Sequence, residues 1–264
     1  MRLLLRPLRK LVAVERTERR DHRLALMLTF VAGAANAGGL VAVGQYTSHM
    51  SGIISAMADQ LALGAWLLVG GGLVALASFM AGAGVSAVLI NWARRNRVRA
   101  QYSLPVLLEA ALLASFGTLG MLLAGTAGFY AMAVPLLCFI MGLQNATITK
   151  VSGARIRTTH MTGIVTDIGI ELGKLFYWNH RPGTQVRADR TKLKLLGGLL
   201  GCFFGGGLFG AWGFALLGFA AALPMALVLA SVGMAPVLEA WLIRTRRVAG
   251  RGTPGRETLG APRP

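Results

Sequence analysis

The sequence predicts an all-α integral membrane protein with six transmembrane helices and two short half-helices, arranged as a 3+3 inverted repeat. One reason is composition, because 55% of the 264 residues are hydrophobic and only 14% are charged, against about a quarter in soluble domains. A second reason is that all 27 Lys and Arg residues fall into five patches. The patches cover residues 2–23, 94–99, 150–157, 174–194 and 244–263. The third reason is a motif that occurs once in each half.

Six apolar stretches are each about twenty residues long, which is the length of a helix that crosses a hydrocarbon core of ~30 Å. They are Leu24–Gly44, Trp66–Ile90, Leu104–Leu123, Phe129–Thr149, Leu195–Ala211 and Phe214–Met234. Two shorter stretches, Thr47–Gly64 and Thr158–Gly173, contain polar and ionisable residues. They are predicted as half-helices or re-entrant segments, because non-helical backbone at membrane depth is tolerated where it lies inside protein or lines a cavity.

The basic patches predict which ends of the helices face the cytoplasm. Lys and Arg residues beside membrane spans stay on the cytoplasmic side, so six crossings place both termini and every patch inside. The opposite turns, near residues 125–128 and 211–213, contain no Lys or Arg. The predicted plan is a basic cytoplasmic tail, two membrane repeats and a basic disordered tail, at residues 1–23, 24–128, 129–243 and 244–264.

The formal charge of +17 is expected to attract anionic lipid headgroups rather than nucleic acid. Basic patches bind phosphate in both settings, but these patches directly adjoin apolar stretches. The expected partners are therefore the lipid bilayer and its anionic headgroups.

Cys138 and Cys202 lie far apart in apolar surroundings and predict neither a disulfide nor a zinc site. No HExxH, GxSxG or P-loop pattern occurs, so we expect no enzyme, cofactor or bound metal.

An internal repeat joins the two halves. The segments Gly33–Ala37 (GAANA) and Thr47–Ile53 (TSHMSGI) are echoed by Gly142–Ala146 (GLQNA) and Thr158–Ile164 (TTHMTGI). The same order in both halves predicts a true repeat. Because the first and fourth spans are predicted to cross in opposite directions, the copies are inverted, as in many secondary transporters.

The motifs His49–Gly52 (HMSG), Gly142–Ala146 (GLQNA) and Arg157–Gly163 (RTTHMTG) resemble those of the YoaK-like bacterial membrane proteins. The resemblance extends from about residue 24 to about residue 240. It implies a six-span domain of unknown function in the bacterial inner membrane.

The repeated motifs supply most of the candidate substrate-binding or ion-coupling residues. A half-helix that begins inside the membrane presents unpaired N–H groups and a positive dipole end, and the hydroxyl residues before it are candidate N-caps. The alternative is that these residues only cap and pack the short helices. The candidates are Asn36, His49, Ser51, Gly52, Asn145, Thr158, Thr159, His160, Thr162, Gly163, Asp167 and Glu171.

An ionisable stripe is predicted on the second short helix. His160, Asp167 and Glu171 lie at offsets of seven and eleven residues, which places them within about forty degrees of one another on a helix. Such a stripe could relay protons, bind a cation or form a polar seam. Glu109 is expected near the cytoplasmic face, in reach of solvent or the basic loops.

Two function classes fit these patterns. One is a small secondary transporter or permease with its site at the paired motifs, and the other is a non-transporting scaffold or lipid-interacting protein. Transport requires the polar atoms of both motifs to converge on a solvent-reachable cavity, and scaffolding does not. On the fifth span Gly197, Gly201 and Gly205 predict close helix packing and allow a homodimer.

The charge distribution generates a prediction about topology. A reporter that is active only outside the cytoplasm should be silent when fused after Arg97 or Arg187 and active when fused near Thr126. Fusion libraries in a bacterial host measure this directly. Reporter activity after Arg187 would contradict six crossings with cytoplasmic basic patches.

Overall fold

The computed structural model describes residues 18–96, 98, 101–152, 158–178 and 185–250, and this part of the chain contains helices and no strand. Most of both predicted tails, residues 1–17 and 251–264, lies outside it. The helices are α1 (Glu18–Val43), α2 (Met50–Ala62), α3 (Trp66–Arg95), α4 (Ser103–Leu123), α5 (Ala127–Val151), α6 (Met161–Phe176), α7 (Arg190–Leu217) and α8 (Ala222–Gly250). A 3-10 turn, Gly218–Ala221, joins α7 to α8.

Five helical stretches of the described chain are long and apolar enough to cross a membrane. They are His22–Val43, Trp66–Arg95, Ser103–Leu123, Gly128–Val151 and Arg190–Ala235. The last contains α7 and the first part of α8. Large apolar side chains cover their outer surfaces; Leu67 is 88% exposed and Leu216 is 83% exposed. The prediction of a multi-pass helical membrane protein is therefore confirmed.

Two predicted boundaries are wrong. The turn expected at residues 211–213 is helical, and α7 continues to Leu217. The chain bends at Gly218, whose φ of 57° suits glycine, whereas Gly213 packs against Ala221 within the fold. At the other end α8 runs to Gly250, so residues 244–250 are helical rather than part of a disordered tail.

The long helices pack in pairs that combine the two halves of the chain. α1 packs mainly against α7, α3 against α5, and α4 against α8. The short helices attach at the edges, with α2 on α3 and α6 on α7. A cluster of stacked and edge-on aromatic rings closes the end where α4, α5 and the 3-10 turn meet, and its members are Phe116, Phe129, Phe214 and Phe219.

A Phe-x-x-Gly sequence on each of four helices sets the closest approaches. A side chain at Gly33 would collide with the carbonyl oxygen of Phe203 on α7, and one at Gly206 would collide with that of Phe30 on α1. The same reciprocal arrangement joins α3 and α5, where Gly82 faces the carbonyl of Phe139 and Gly142 faces that of Phe79. Glycine lets the two main chains touch, as in Cα–H···O contacts between helices.

The glycines of α7 lie on two faces of the helix, and the two faces have different surroundings. Gly206 and Gly210 contact the main chain of α1. Gly197, Gly201 and Gly205 have no neighbouring atom within 4 Å of a side chain built there. The close packing predicted for this helix thus involves the first face within the described chain.

These two faces give a matched pair of variants. Gly206→Ala should destabilise the protein by about 1–3 kcal/mol, because the added methyl group overpacks the contact with Phe30. Gly205→Ala should be neutral or stabilising, since alanine is the better helix former by about 1 kcal/mol. Thermal unfolding in detergent measures both, and equal melting temperatures for the two variants would contradict the crossing.

Candidate functional site

The loops before α2 and α6 fold back onto asparagine side chains of the preceding long helices. In the first half, Oδ1 of Asn36 accepts hydrogen bonds from the main-chain N–H of Ser48 at 3.2 Å and from its hydroxyl at 2.9 Å. The amide therefore fixes the loop against α1. It also satisfies a polar group that lipid could not.

The second half repeats this arrangement with more bonds. Oδ1 of Asn145 accepts from the hydroxyl of Thr158 at 3.2 Å and from the main-chain N–H of Thr159 at 3.4 Å. Nδ2 of Asn145 donates to the hydroxyl of Thr159 at 2.6 Å. Thr158 and Thr159, which were candidate N-caps, thus bind the asparagine instead of the helix start.

Histidine occupies the N-cap position of both short helices. Neither His49 nor His160 forms a side-chain capping bond. Each ring instead lies over its own first turn, where a side chain at Gly52 or Gly163 would collide with it. Gly52 and Gly163 were predicted as candidate binding residues, and in the structure they make room for the imidazole.

A single open cavity of about 620 Å³ is lined by both motif copies. From the first copy come Ser48, His49, Met50 and Ser51, and from the second come Asn145, Thr159, His160, Met161 and Thr162. Phe79, Ala83 and Gly142 contribute from the α3–α5 crossing. The two motifs, about 110 residues apart in the sequence, are thus neighbours in space.

Apolar surface makes up most of the lining of this cavity, and a few polar and basic side chains lie within it. Lys150 is part of it, together with the two histidines, and no Asp or Glu belongs to the lining contributed by the described residues. The first turns of α2 and α6 begin at the same cavity, and the N-terminus of a helix attracts negative charge. The arrangement favours small ligands with anionic or hydrogen-bond-accepting groups.

The two carboxylates of the predicted stripe lie elsewhere. Asp167 pairs with Lys192 on α7, with 3.4 Å between Oδ2 and Nζ. Glu171 accepts from Nζ of Lys174 at 2.9 Å and from the main-chain N–H of Asp189 at 2.9 Å. Asp167 and Glu171 therefore tie α6 to the start of α7, while His160 lies at the cavity.

A buried carboxyl group was missed by sequence reasoning. Glu109 on α4 is only 1% exposed, so the expectation that it reaches solvent or the basic loops is wrong. Its Oε1 accepts a hydrogen bond from Nε2 of Gln144 at 2.7 Å. The available signal was that Glu109 is the one ionisable residue between Leu104 and Leu123, and that Gln144 belongs to the second motif.

Two further acidic residues and the two cysteines add nothing to the cavity. Asp59 is exposed on α2, and the side chain of Glu239 lies outside the described residues. Cys138 and Cys202 are free thiols. Within the described ranges no three His, Cys, Asp or Glu side chains come together as a group that could hold a metal ion.

The anchor between α6 and α7 gives a prediction about pH. The N–H of Asp189 and the ammonium of Lys174 lower the pKa of Glu171. The stabilisation is therefore present above the ordinary carboxyl pKa of 4.5 and is lost as the pH falls through the lower folded value. Glu171→Gln should reduce the melting temperature at neutral pH, and this difference should vanish in acid.

Thermal unfolding across this pH range measures the effect. Asp59→Asn is the matched control, because it removes an exposed carboxylate on the other short helix. The assignment fails if Glu171→Gln and the parent protein differ equally at neutral and acidic pH.

Comparison with known proteins adds the family. The family model described as protein of unknown function, DUF1275, matches residues 24–235. Neither curated proteins nor solved structures give a match. The matched region contains both motif copies and every residue of the cavity lining, and it agrees with the resemblance to the YoaK-like proteins. The chain therefore belongs to the DUF1275 family, a family of unknown function.

Proposed function

We propose that this protein is a small secondary transporter or permease of the bacterial inner membrane, and that its solute site is the cavity at the starts of α2 and α6. The observation that carries the proposal is that both motif copies line one cavity. A volume of about 620 Å³ suits a small molecule. A scaffold has no need of such convergence.

Six crossings arranged as an inverted repeat are part of the proposal. The stretch Arg190–Ala235 is 46 residues long, about twice what one crossing needs, and it bends at Gly218. In such a repeat α1 is equivalent to α5 and α3 is equivalent to α7. The packed pair α1–α7 is then equivalent to the packed pair α5–α3. The reciprocal glycine–carbonyl contacts of Gly33 with Phe203 and of Gly142 with Phe79 support this correspondence.

The asparagine contacts support a site within the depth of the membrane. Asn36 lies seven residues before the end of α1 at Val43, or about 10 Å along the helix axis. Asn145 lies six residues before the end of α5 at Val151, or about 9 Å. Loops held at these residues return into the membrane, so α2 and α6 act as re-entrant half-helices whose starts face the solute.

Flux measurements on purified protein in liposomes test the proposal. Vesicles loaded with a mixture of small organic anions, amino acids and inorganic ions should lose or exchange one class of solute only when they contain the protein. Thr162→Val removes a hydroxyl residue of the cavity lining and should reduce this flux roughly two- to tenfold.

Thr166→Val is the matched control one turn along α6. Its hydroxyl bonds the carbonyl of Thr162 at 2.9 Å, and Thr166 is not part of the cavity lining. Flux through this variant should equal that of the parent. A folded parent protein that moves no solute in this screen would favour the scaffold or lipid-interacting alternative, and equal losses in both variants would reject the cavity as the site.

A further inference from the structure

Glu109 combines burial with an incomplete set of hydrogen bonds. Oε1 accepts from Gln144, whereas Oε2 is buried and has no hydrogen-bond partner. An ionised carboxylate in this position would keep one charged oxygen without a donor. Such a group is costly at membrane depth, where ionisable residues usually serve a function.

The helices packed against α4 provide Glu109 with no counter-ion in the described chain. These are α3, α5, α8 and the 3-10 turn. On α3, the guanidinium of Arg94 bonds Gln101 and Tyr102, and Arg95 follows it as the last residue. The titratable residues of α5 are Tyr130, Cys138 and Lys150, and the last of these lines the cavity. The described side chains of α8 and of the turn include no ionisable group.

A chain of hydrogen bonds connects Glu109 with the cavity. Gln144 donates to Glu109, and its own Oε1 accepts from the hydroxyl of Thr158 at 3.4 Å. The same hydroxyl proton of Thr158 is shared with Oδ1 of Asn145 at 3.2 Å. Asn145 lines the cavity next to Thr159. The charge state of the carboxyl group can thus affect the loop that carries His160 through Gln144 and Thr158.

The first copy of the motif lacks an equivalent connection. Ala35 takes the position of Gln144 in the first motif, and Thr47 takes the position of Thr158. The hydroxyl of Thr47 is buried without a hydrogen-bond partner. The hydrogen-bond chain from Glu109 through Gln144 to Thr158 therefore belongs to the second motif copy only. A packing role shared by both copies would not explain it.

We propose that Glu109 is a proton-binding group that couples protonation to the state of the cavity. Its role in a transport cycle rests on the function proposed above. When the cavity is closed the carboxyl is neutral and accepts from Gln144. When the cavity opens as far as Gln144, water accepts the proton from Oε2 of Glu109. The resulting carboxylate forms a stronger hydrogen bond with Gln144 and draws that side chain away from Thr158. The proton returns from water to Oε2 before the cavity closes.

Infrared difference spectroscopy tests the proton-binding step without any solute. The full-length protein in lipid bilayers is titrated with acid and base, and the C=O stretching band of a protonated, buried carboxyl group is followed. The parent should show such a band, and Glu109→Gln should lack it. Asp59→Asn, which removes an exposed carboxylate, should keep it. A band that persists in Glu109→Gln overturns the proposal.

A labelling experiment tests the coupling step. Cys138 and Cys202 are replaced by alanine, and the single thiol of Thr162→Cys reports access to the cavity through its reaction with a charged thiol reagent. Rates are divided by those of Leu63→Cys, a site 78% exposed at the end of α2, which corrects for thiol ionisation. The normalised rate should change with pH in the parent background and become independent of pH in Glu109→Gln. A pH dependence retained in Glu109→Gln contradicts coupling.

Two further variants keep the proposal testable if Glu109→Gln does not fold. Gln144→Leu removes the donor to Oε1, so the carboxyl band should shift in frequency, and an unshifted band would reject the assignment. Thr158→Val should keep the band but abolish the pH dependence of labelling. Because neither readout requires flux, a failed solute screen and a failed proton assignment remain separate results.

Discussion

Direct contact between main chains at the Phe-x-x-Gly crossings is the constraint on which the rest of the structure depends. Lipid tails are as apolar as the side chains, so helices in a membrane gain stability from close van der Waals packing rather than from burial away from water. Gly82 and Gly142 bring α3 and α5 together. Phe79 and Gly142 of that same crossing line the cavity. The packing contact that holds the helices also forms one wall of the site.

Hydropathy predicted the membrane helices, because it depends on residue type and order along the chain. Whether the two motifs converge on one cavity was left open by the sequence, since it depends on how the helices pack. The bend at Gly218 could not be read in this way. Gly213 and Gly218 are equally permissive in isolation, yet Gly213 lies within α7 close to Ala221 and Gly218 follows the end of that helix. Glycine-rich membrane helices contain more candidate turns than real ones.

The sequence also did not predict which side chains from distant helices would contact the ionisable residues. The periodicity of α6 correctly placed Asp167 and Glu171 on one face, yet Lys192 and Asp189 at the start of α7 determine what those carboxylates do. Glu109 was expected in solvent because of its nearness to a basic loop. Its burial depends on how α4 packs with α5 and α8, which local sequence does not contain.

The histidine that covers its own first turn has a consequence for how the sequence is read. At His49 and His160 the ring takes the volume that a side chain three residues later would need, so the spacing His-x-x-Gly records a conformation rather than a contact with a ligand. A helix start with an uncovered ring would tolerate alanine at that glycine. In this chain the four-residue pattern thus marks the starts of both short helices, α2 and α6, and it accounts for a glycine at the same position in each.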